Sequence, residues 1–376
     1  MVLNPKLTRR NLLQRGLMGL GAAVMLPAIQ PLGFLLGTEL PSEHSVTDFP
    51  QADHLGRVCV GKIDVKLKPA FESATVKVLY EDAVLPWVKE VIGAPNLNRG
   101  KSRRWVETPD GYIYGPDFQR VLNQINVPVK TLPQSASGPG MWVEVSVPWV
   151  DAPLANPPAR AEVLRQLDGN PRLYYSQIYW VDDLRQRNGK TEYHITEKHG
   201  SPGDMFWADG QALRPMTAEE LTPIRPEVAD KRVLVNLGTQ TMACFEGKKE
   251  VYFCRVSTGA KFNSDGKAVD KWSTPVGMFN SISRKFVGLH MAGGTRASGY
   301  EVFGVGWASF FATGGYSIHS TYWHANFGEP MSHGCVNAEP DDAKFVFLWS
   351  APQVAYDPGK IEISGYDGTK VEVIEQ

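Results

Sequence analysis

Cys335 stands in Ser332-His333-Gly334-Cys335-Val336-Asn337, sixteen positions after His319, so a thiol and two imidazoles share one short stretch. A cysteine nucleophile needs a base to take its proton and N–H donors for the oxyanion of a tetrahedral intermediate. Either His319 or His333 is a candidate for the base. Glycine beside the thiol lets a substrate approach the backbone, which makes the N–H groups of Cys335 and Gly334 candidate oxyanion donors. The chemistry open to this set is thiolate attack on a carbonyl. A working site is expected to show a fast-reacting cysteine, because its thiolate is stabilised.

The remaining chemistry-bearing residues fit packing better. Cys244 and Cys254 flank a hairpin at the same parity, so a cross-strand disulfide is open to them, but two buried thiols are the preferred expectation. Cys59 is likewise expected to be structural. There is no CxxC pair and no metal-ligand spacing around Cys335, so no metal is expected, and acyl transfer by a thiol requires no organic cofactor. His290 and His324 are assigned surface or packing roles, and His194 and His199 no chemistry.

Strands must position the reactive segment. Val233, Val235 and Leu237 alternate from Lys231, and Phe245-Glu246-Gly247-Lys248-Lys249-Glu250-Val251 is a natural hairpin. After the thiol, Pro340 to Trp349 predicts a helix with proline in its first turn and Asp341 and Asp342 near its N-terminus, placed to buttress the active loop. With 376 residues, Gly 36, Pro 27 and only short helical patterns, the chain predicts two or three mainly β units. Lys and Arg total 39 against 40 acidic residues, a net charge of -1 that gives no field to draw nucleic acid.

The N-terminus reads as an address. Lys6, Arg9, Arg10 and Arg15 precede the uncharged run Gly16 to Leu26, a signal-peptide layout, and Thr8-Arg9-Arg10-Asn11-Leu12-Leu13 resembles the twin-arginine export motif. The expectation is export to the cell wall, periplasm or outer face of the cytoplasmic membrane, with membrane contact only through this segment if it is uncleaved. Residues 1–38 form this signal or anchor and 39–55 a linker. Residues 56–125 form a small β-barrel. There Gly56-Arg57-Val58, Asp64-Val65-Lys66, Pro69, Glu90-Val91-Ile92-Gly93, Trp105-Val106 and Asp110-Gly111-Tyr112-Ile113 resemble a bacterial SH3-type domain, which implies binding to peptidoglycan peptides; a spacer that binds nothing is the alternative. Residues 126–140 form a second linker. Residues 141–229 read as a second, degenerate SH3-like region, because Tyr193-His194-Ile195 and Phe206-Trp207-Ala208-Asp209-Gly210 echo Trp105-Val106-Glu107 and Gly111-Tyr112-Ile113-Tyr114. Its Tyr174, Tyr175, Tyr179, Trp180, Tyr193 and Trp207 are expected mainly in a core, with an aromatic binding surface as the alternative.

From Lys231 onward the chain resembles the YkuD-type catalytic domain of the L,D-transpeptidases. The resemblance rests on Val256-Ser257-Thr258-Gly259, Ser273-Thr274-Pro275-Val276-Gly277-Met278-Phe279, Ile318-His319-Ser320, Ser332-His333-Gly334-Cys335 and Gly368-Thr369-Lys370-Val371-Glu372-Val373 in that order. Lys370 departs from the proline often found there, and Pro352 to Tyr366 lengthens the connection before the last strand. The resemblance implies a mainly β fold: a YkuD-type β-sandwich over 230–376 with a short helix after the nucleophile, preceded by one or two SH3-like barrels. It further implies that Cys335 is the nucleophile, that His319 is proton acceptor and donor with the Ser320 carbonyl orienting it, and that His333 supports the loop. Ser332, Gly334, Tyr300 and Asn337 are the implied oxyanion or substrate contacts, and Arg284 to Tyr316 the implied lid.

The implied reaction joins peptidoglycan stem peptides. Cys335 attacks the amide before the terminal D-alanine of a tetrapeptide stem, D-alanine leaves, and an amine of a second stem resolves the thioester. Carbapenem-type β-lactams are implied inhibitors. Water or a protein amine as acceptor would make the chain a carboxypeptidase or an anchoring transferase. A wall-binding protein with a retired catalytic domain is the reading from a different class, against which the intact Cys335 and His319 stand.

Overall fold

The computed structural model describes residues 45–95, 102–167, 169–200, 202–262, 267, 269, 272–293 and 300–376. The expected signal at 1–38 lies outside them, as does the start of the 39–55 linker. Among the described residues no helix is long and apolar enough to cross a membrane.

Residues 55–121 build two small sheets. One runs in the order Thr75–Tyr80, Lys62–Lys66, Gly111–Tyr114, Arg104–Thr108, Lys89–Ile92, and the other Val84–Pro86, Leu55–Val58, Phe118–Val121. Strand alternation turns Ile63 and Val65 inward onto Val58, Val106, Ile113 and Phe118, while Lys62 faces water. The next unit repeats a succession seen here. A hairpin (Lys190–Thr196 with Met205–Asp209) leads into a 3-10 turn at Gly210–Ala212 and the strand Leu213–Pro215, as the hairpin 104–114 leads into Gly115–Asp117 and Phe118–Val121.

Residues 141–221 do not keep a core of their own. Met141, Val143, Tyr179, Tyr193 and Phe206 share one apolar cluster with Leu289, Val302, Tyr322, Trp323 and Cys335. On the other face Trp142, Ile178 and Trp180 join Val233, Val287, Trp307 and Phe347 in a second. The aromatics are therefore mostly core: Tyr174, Tyr179, Trp180 and Tyr193 are buried, while Tyr175 and Trp207 are half-buried, Trp207 under the Arg185 guanidinium at 3.8 Å.

The C-terminal part has two five-stranded sheets. The first runs Lys249–Arg255, Thr241–Glu246, Lys231–Asn236, Lys370–Ile374, Gly277–Phe279, with 370–374 parallel to 231–236. The second runs Val336–Ala338, Tyr316–Ser320, Tyr300–Ala312, Arg284–Gly293, Lys360–Glu362. Here the structure corrects the expected lid. Arg284–Gly293 and Tyr300–Ala312 are a paired ribbon in the middle of this sheet, and Val287, Val305, Trp307 and Ala308 along them are buried, so apolar burial makes them a platform. The long connection Pro352 to Tyr366 also finds a role. It supplies the edge strand Lys360–Glu362, and Tyr356 receives the Trp142 indole N–H on its carbonyl at 2.8 Å, fastening the middle unit to this domain. Cys244 and Cys254 are free, buried thiols in the second apolar cluster, and Cys59 is also free and buried.

The predicted helix is present as Pro340–Trp349, with Ala343, Val346, Phe347 and Trp349 buried. Its last carbonyls have no partner within the helix and would be stranded in the core. Two lysines complete them. Lys285 Nζ donates to the carbonyls of Phe347, Ser350 and Pro352, and Lys231 Nζ to those of Ile224, Arg225 and Trp349. Each ammonium spends all three protons and lies at the negative end of the helix dipole. Burial and the like charge of Lys231 push the Lys285 pKa well below the ordinary lysine value. Lys285→Met, similar in length but without donors, is expected to lower stability by about 3 kcal/mol in urea unfolding, because it strands three buried acceptors.

Candidate active site

The site is made by two short parallel strands. Tyr316–Ser320 pairs with Val336–Ala338 in the register Ile318 with Val336, His319 with Asn337 and Ser320 with Ala338. One step back along this register sets Ser317 beside Cys335, and their side chains meet at 3.6 Å. Side chains alternate along a strand, so Ser317 and His319 face the same side as Cys335 and Asn337. Ile318 and Val336 face the other way, fully buried in the second apolar cluster. Hydrophobic burial on one face thus fixes which groups meet on the other. Cys335, His319, Ser332, His333, Tyr300 and Asn337 all line one pocket there.

The Ser257-Thr258-Gly259 segment clips the Cys335 loop from behind. Ser257 and Asn337 exchange both backbone hydrogen bonds at 2.9 Å, and the N–H groups of Met331 and Ser332 donate to the Thr258 carbonyl. Thr274 closes the clip: its hydroxyl accepts from Gly259 N–H at 2.9 Å and donates to the Gly334 carbonyl at 2.8 Å. Gly334 has φ +120, and a Cβ there would sit 2.5 Å from the Tyr316 ring, so only glycine fits. Its N–H corrects an expectation. It donates to Ser332 Oγ at 3.0 Å, and Ser332 Oγ in turn donates to the Cys335 carbonyl, so Gly334 braces the loop instead of offering an oxyanion donor. The N–H of Cys335 is left as the loop's candidate.

The His319 ring is fixed by its own backbone neighbour. Its Nδ1 lies 2.9 Å from the Ser320 carbonyl, which can only accept, so the proton is on Nδ1 and Nε2 carries a free lone pair. Burial lowers its pKa to about 4. Cys335 is only 9% exposed, and burial raises its thiol pKa, opposed by contacts with Ser317; Sγ also donates to the Gly315 carbonyl at 3.6 Å. Burial thus favours a thiol and a neutral imidazole over the expected stabilised thiolate, and the desolvated sulfur has no cation beside it among these contacts.

Aromatic and buried polar groups surround this pair. His333 packs between Trp272 and Tyr300, with ring centroids at 4.3 and 5.3 Å. Burial raises the Tyr300 pKa and keeps its hydroxyl a donor. Burial and nearby His319 lower His324 to about 3, and its Nδ1 accepts the Asn326 N–H at 3.2 Å. Its Nε2 must then carry the proton, so the amide end of Asn337 facing it at 2.9 Å is best taken as the oxygen. That choice removes the one unpartnered buried Asn337 oxygen and turns the NH2 away from His324. His290, expected at the surface or in packing, is buried in a charged cluster: Nδ1 lies 2.6 Å from Glu197 and Nε2 3.3 Å from Glu301, which raise its pKa to about 9.

Several residues that shape the site carry no local sequence signal. Arg57, fully buried, pairs with Asp82 at 3.0 Å and donates to the Tyr322 carbonyl at 2.6 Å; Arg104 donates to the Ala325 carbonyl. The N-terminal unit thus grips the loop that follows His319 and carries Trp323 into the pocket wall.

The low pKa of His319 has a definite sign. The unfolded chain takes up a proton below about 6.5 that the fold refuses until about 4, so this contribution to stability is full above 6.5 and declines as pH falls toward 4. Urea unfolding at about pH 7 and about pH 4 should show the wild type losing about 3 kcal/mol more than His319→Gln, and the His319 ring resonances should not titrate between these limits until the acid end.

Residues 230–373 match the YkuD family model, the L,D-transpeptidase catalytic domain. No curated protein matches the chain. Among solved structures, an L,D-transpeptidase from Mycobacterium smegmatis aligns at 15% identity over 51% of this chain and 98% of its own, with a TM-score of 0.29. The catalytic domain of the E. faecium L,D-transpeptidase aligns at 22% identity over 39% and 98%, TM-score 0.27. LdtMt1, an LD transpeptidase solved in complex with imipenem, aligns at 16% over 52% and 98%, TM-score 0.30. At such scores the overlays carry no argument, and the likeness to the L,D-transpeptidase catalytic domain rests on the family-model match of residues 230–373.

Proposed function

We propose that this chain is an exported peptidoglycan L,D-transpeptidase that cross-links stem peptides through a thioester on Cys335. The observation that carries the reading is the shared face: Cys335 and His319 line one pocket, with the His319 Nε2 lone pair free. A groove of about 480 Å³, lined by Trp272, Tyr300, Tyr316, His333 and Cys335, offers room for a donor peptide.

The steps follow from the resting protonation. His319 Nε2 takes the thiol proton as Cys335 Sγ attacks the carbonyl of the third stem residue. The oxyanion meets the Cys335 N–H, with the Tyr300 hydroxyl as a second donor. Collapse breaks the C–N bond, and the imidazolium gives its proton to the departing D-alanine amine. An acceptor amine then attacks the thioester, passes a proton to His319, and the thiol is restored when the sulfur leaves and recovers it. Moving the proton only during attack suits a buried pair, since no separated charge has to be stored between turnovers. Water in the acceptor's place would give D-alanine release without cross-links. The twin-arginine-like N-terminus supports export, which would place the enzyme beside this substrate.

The test is mass spectrometry of the protein with tetrapeptide-stem muropeptides. The expected result is an adduct on Cys335 equal to the stem less D-alanine, followed by dimers. Both vanish in Cys335→Ala, and the rate falls about 100-fold or more in His319→Gln. Imipenem should leave an adduct on the same sulfur. No Cys335-dependent product from either reagent would reject the reading.

A further inference from the structure

Two cations that the catalytic steps do not use line the donor groove: His290, held by Glu197 and Glu301, and Arg284. Arg284 lines it, and no Asp or Glu does. Among the described residues Arg284 makes no ion pair, not even with Glu362, its cross-strand neighbour. Its guanidinium lies over the Phe310 ring, 4.5 Å from the centroid, which holds the planar group while leaving its N–H edges open.

Strand register places this charge relative to the thiol. Ser317 stands opposite Phe310, and Phe310 opposite Arg284. Residues directly opposite on neighbouring strands share a face, so Cys335, Ser317, Phe310 and Arg284 form one row across four strands. Three strand spacings of about 4.8 Å separate the ends of the row by about 14 Å; an arginine arm covers about 6–7 Å of that, leaving about 7–8 Å, or roughly two residues of extended peptide.

We propose that Arg284 is the anion subsite of the donor groove, binding a carboxylate on the residue before the one that bears the scissile carbonyl, about two residue lengths from that carbonyl. This rests on the transpeptidase reading and sharpens it: the preferred donor is a stem with a free carboxylate at that place, and a stem carrying the carboxamide instead is a poor one. A planar guanidinium accepts a carboxylate with two parallel charge-assisted hydrogen bonds, whereas an amide offers one acceptor and a donor that repels it.

The test compares two synthetic tetrapeptide donors, identical except for carboxylate or carboxamide at the residue before the third, as kcat/KM for thioester formation on Cys335. Wild type is expected to favour the carboxylate by about 10-fold or more. Arg284→Gln should bring the ratio to about one, and Arg284→Lys, which keeps the charge without the fork, should fall between. Because each variant is its own reference, a general loss of activity cancels from the ratio. Equal rates with both donors in wild type, or a preference that survives Arg284→Gln, overturns the subsite and leaves the transpeptidase reading standing. No thioester with either donor in wild type removes the reading and the subsite with it.

Discussion

Everything in this site depends on the parallel pairing of Tyr316–Ser320 with Val336–Ala338. Strand side chains alternate, so a slip of one residue would turn Ile318 into the pocket and His319 into an apolar core. The register is fixed by that core: Ile318 and Val336 are fully buried on the opposite face against Trp307, Phe347 and their neighbours. Burial that stabilises the domain therefore also selects the catalytic geometry. The helix Pro340–Trp349 completes the wall behind both strands, and its stranded carbonyls explain two lysines in a place otherwise closed to charge.

The motif order reports contacts as well as ancestry. Ser257-Thr258-Gly259 and Thr274 lie far before the thiol in sequence, yet their hydrogen bonds converge on Asn337, Ser332 and Gly334 and hold the loop in a conformation that only glycine permits. The Ser332 hydroxyl uses up the Gly334 N–H in the same cause. The loop is rigid because its polar groups bond to one another, which leaves few of them for the substrate.

The local features were legible in sequence: the hairpin at 241–255, the helix at 340–349, and a thiol, imidazole and glycine close together. Long-range partners were not. Arg57 reaches the Tyr322 carbonyl and Arg104 the Ala325 carbonyl across more than 200 residues, and a lone arginine in a strand has no pattern that announces a partner. The gripping of the catalytic loop by the N-terminal unit, and the shared cores between 141–221 and the catalytic sheets, were invisible for the same reason. The resemblance implied a lid from Arg284 to Tyr316, but alternation of buried side chains makes the described strands 284–293 and 300–312 a central platform. The protonation states were not legible because composition cannot report desolvation: a thiol beside two histidines looks activated, and burial of both groups pushes the other way.

That reversal is the central physical claim, and alkylation by iodoacetamide tests it most directly. The rate constant at Cys335, followed by mass spectrometry from about pH 5 to about pH 10, reports the fraction of thiolate in the resting protein. A thiol paired with neutral His319 predicts slow alkylation at neutral pH, rising through the alkaline range without a plateau below about pH 9. Fast alkylation that is already level between about pH 5 and pH 7 would reveal a thiolate–imidazolium pair at rest and contradict the account.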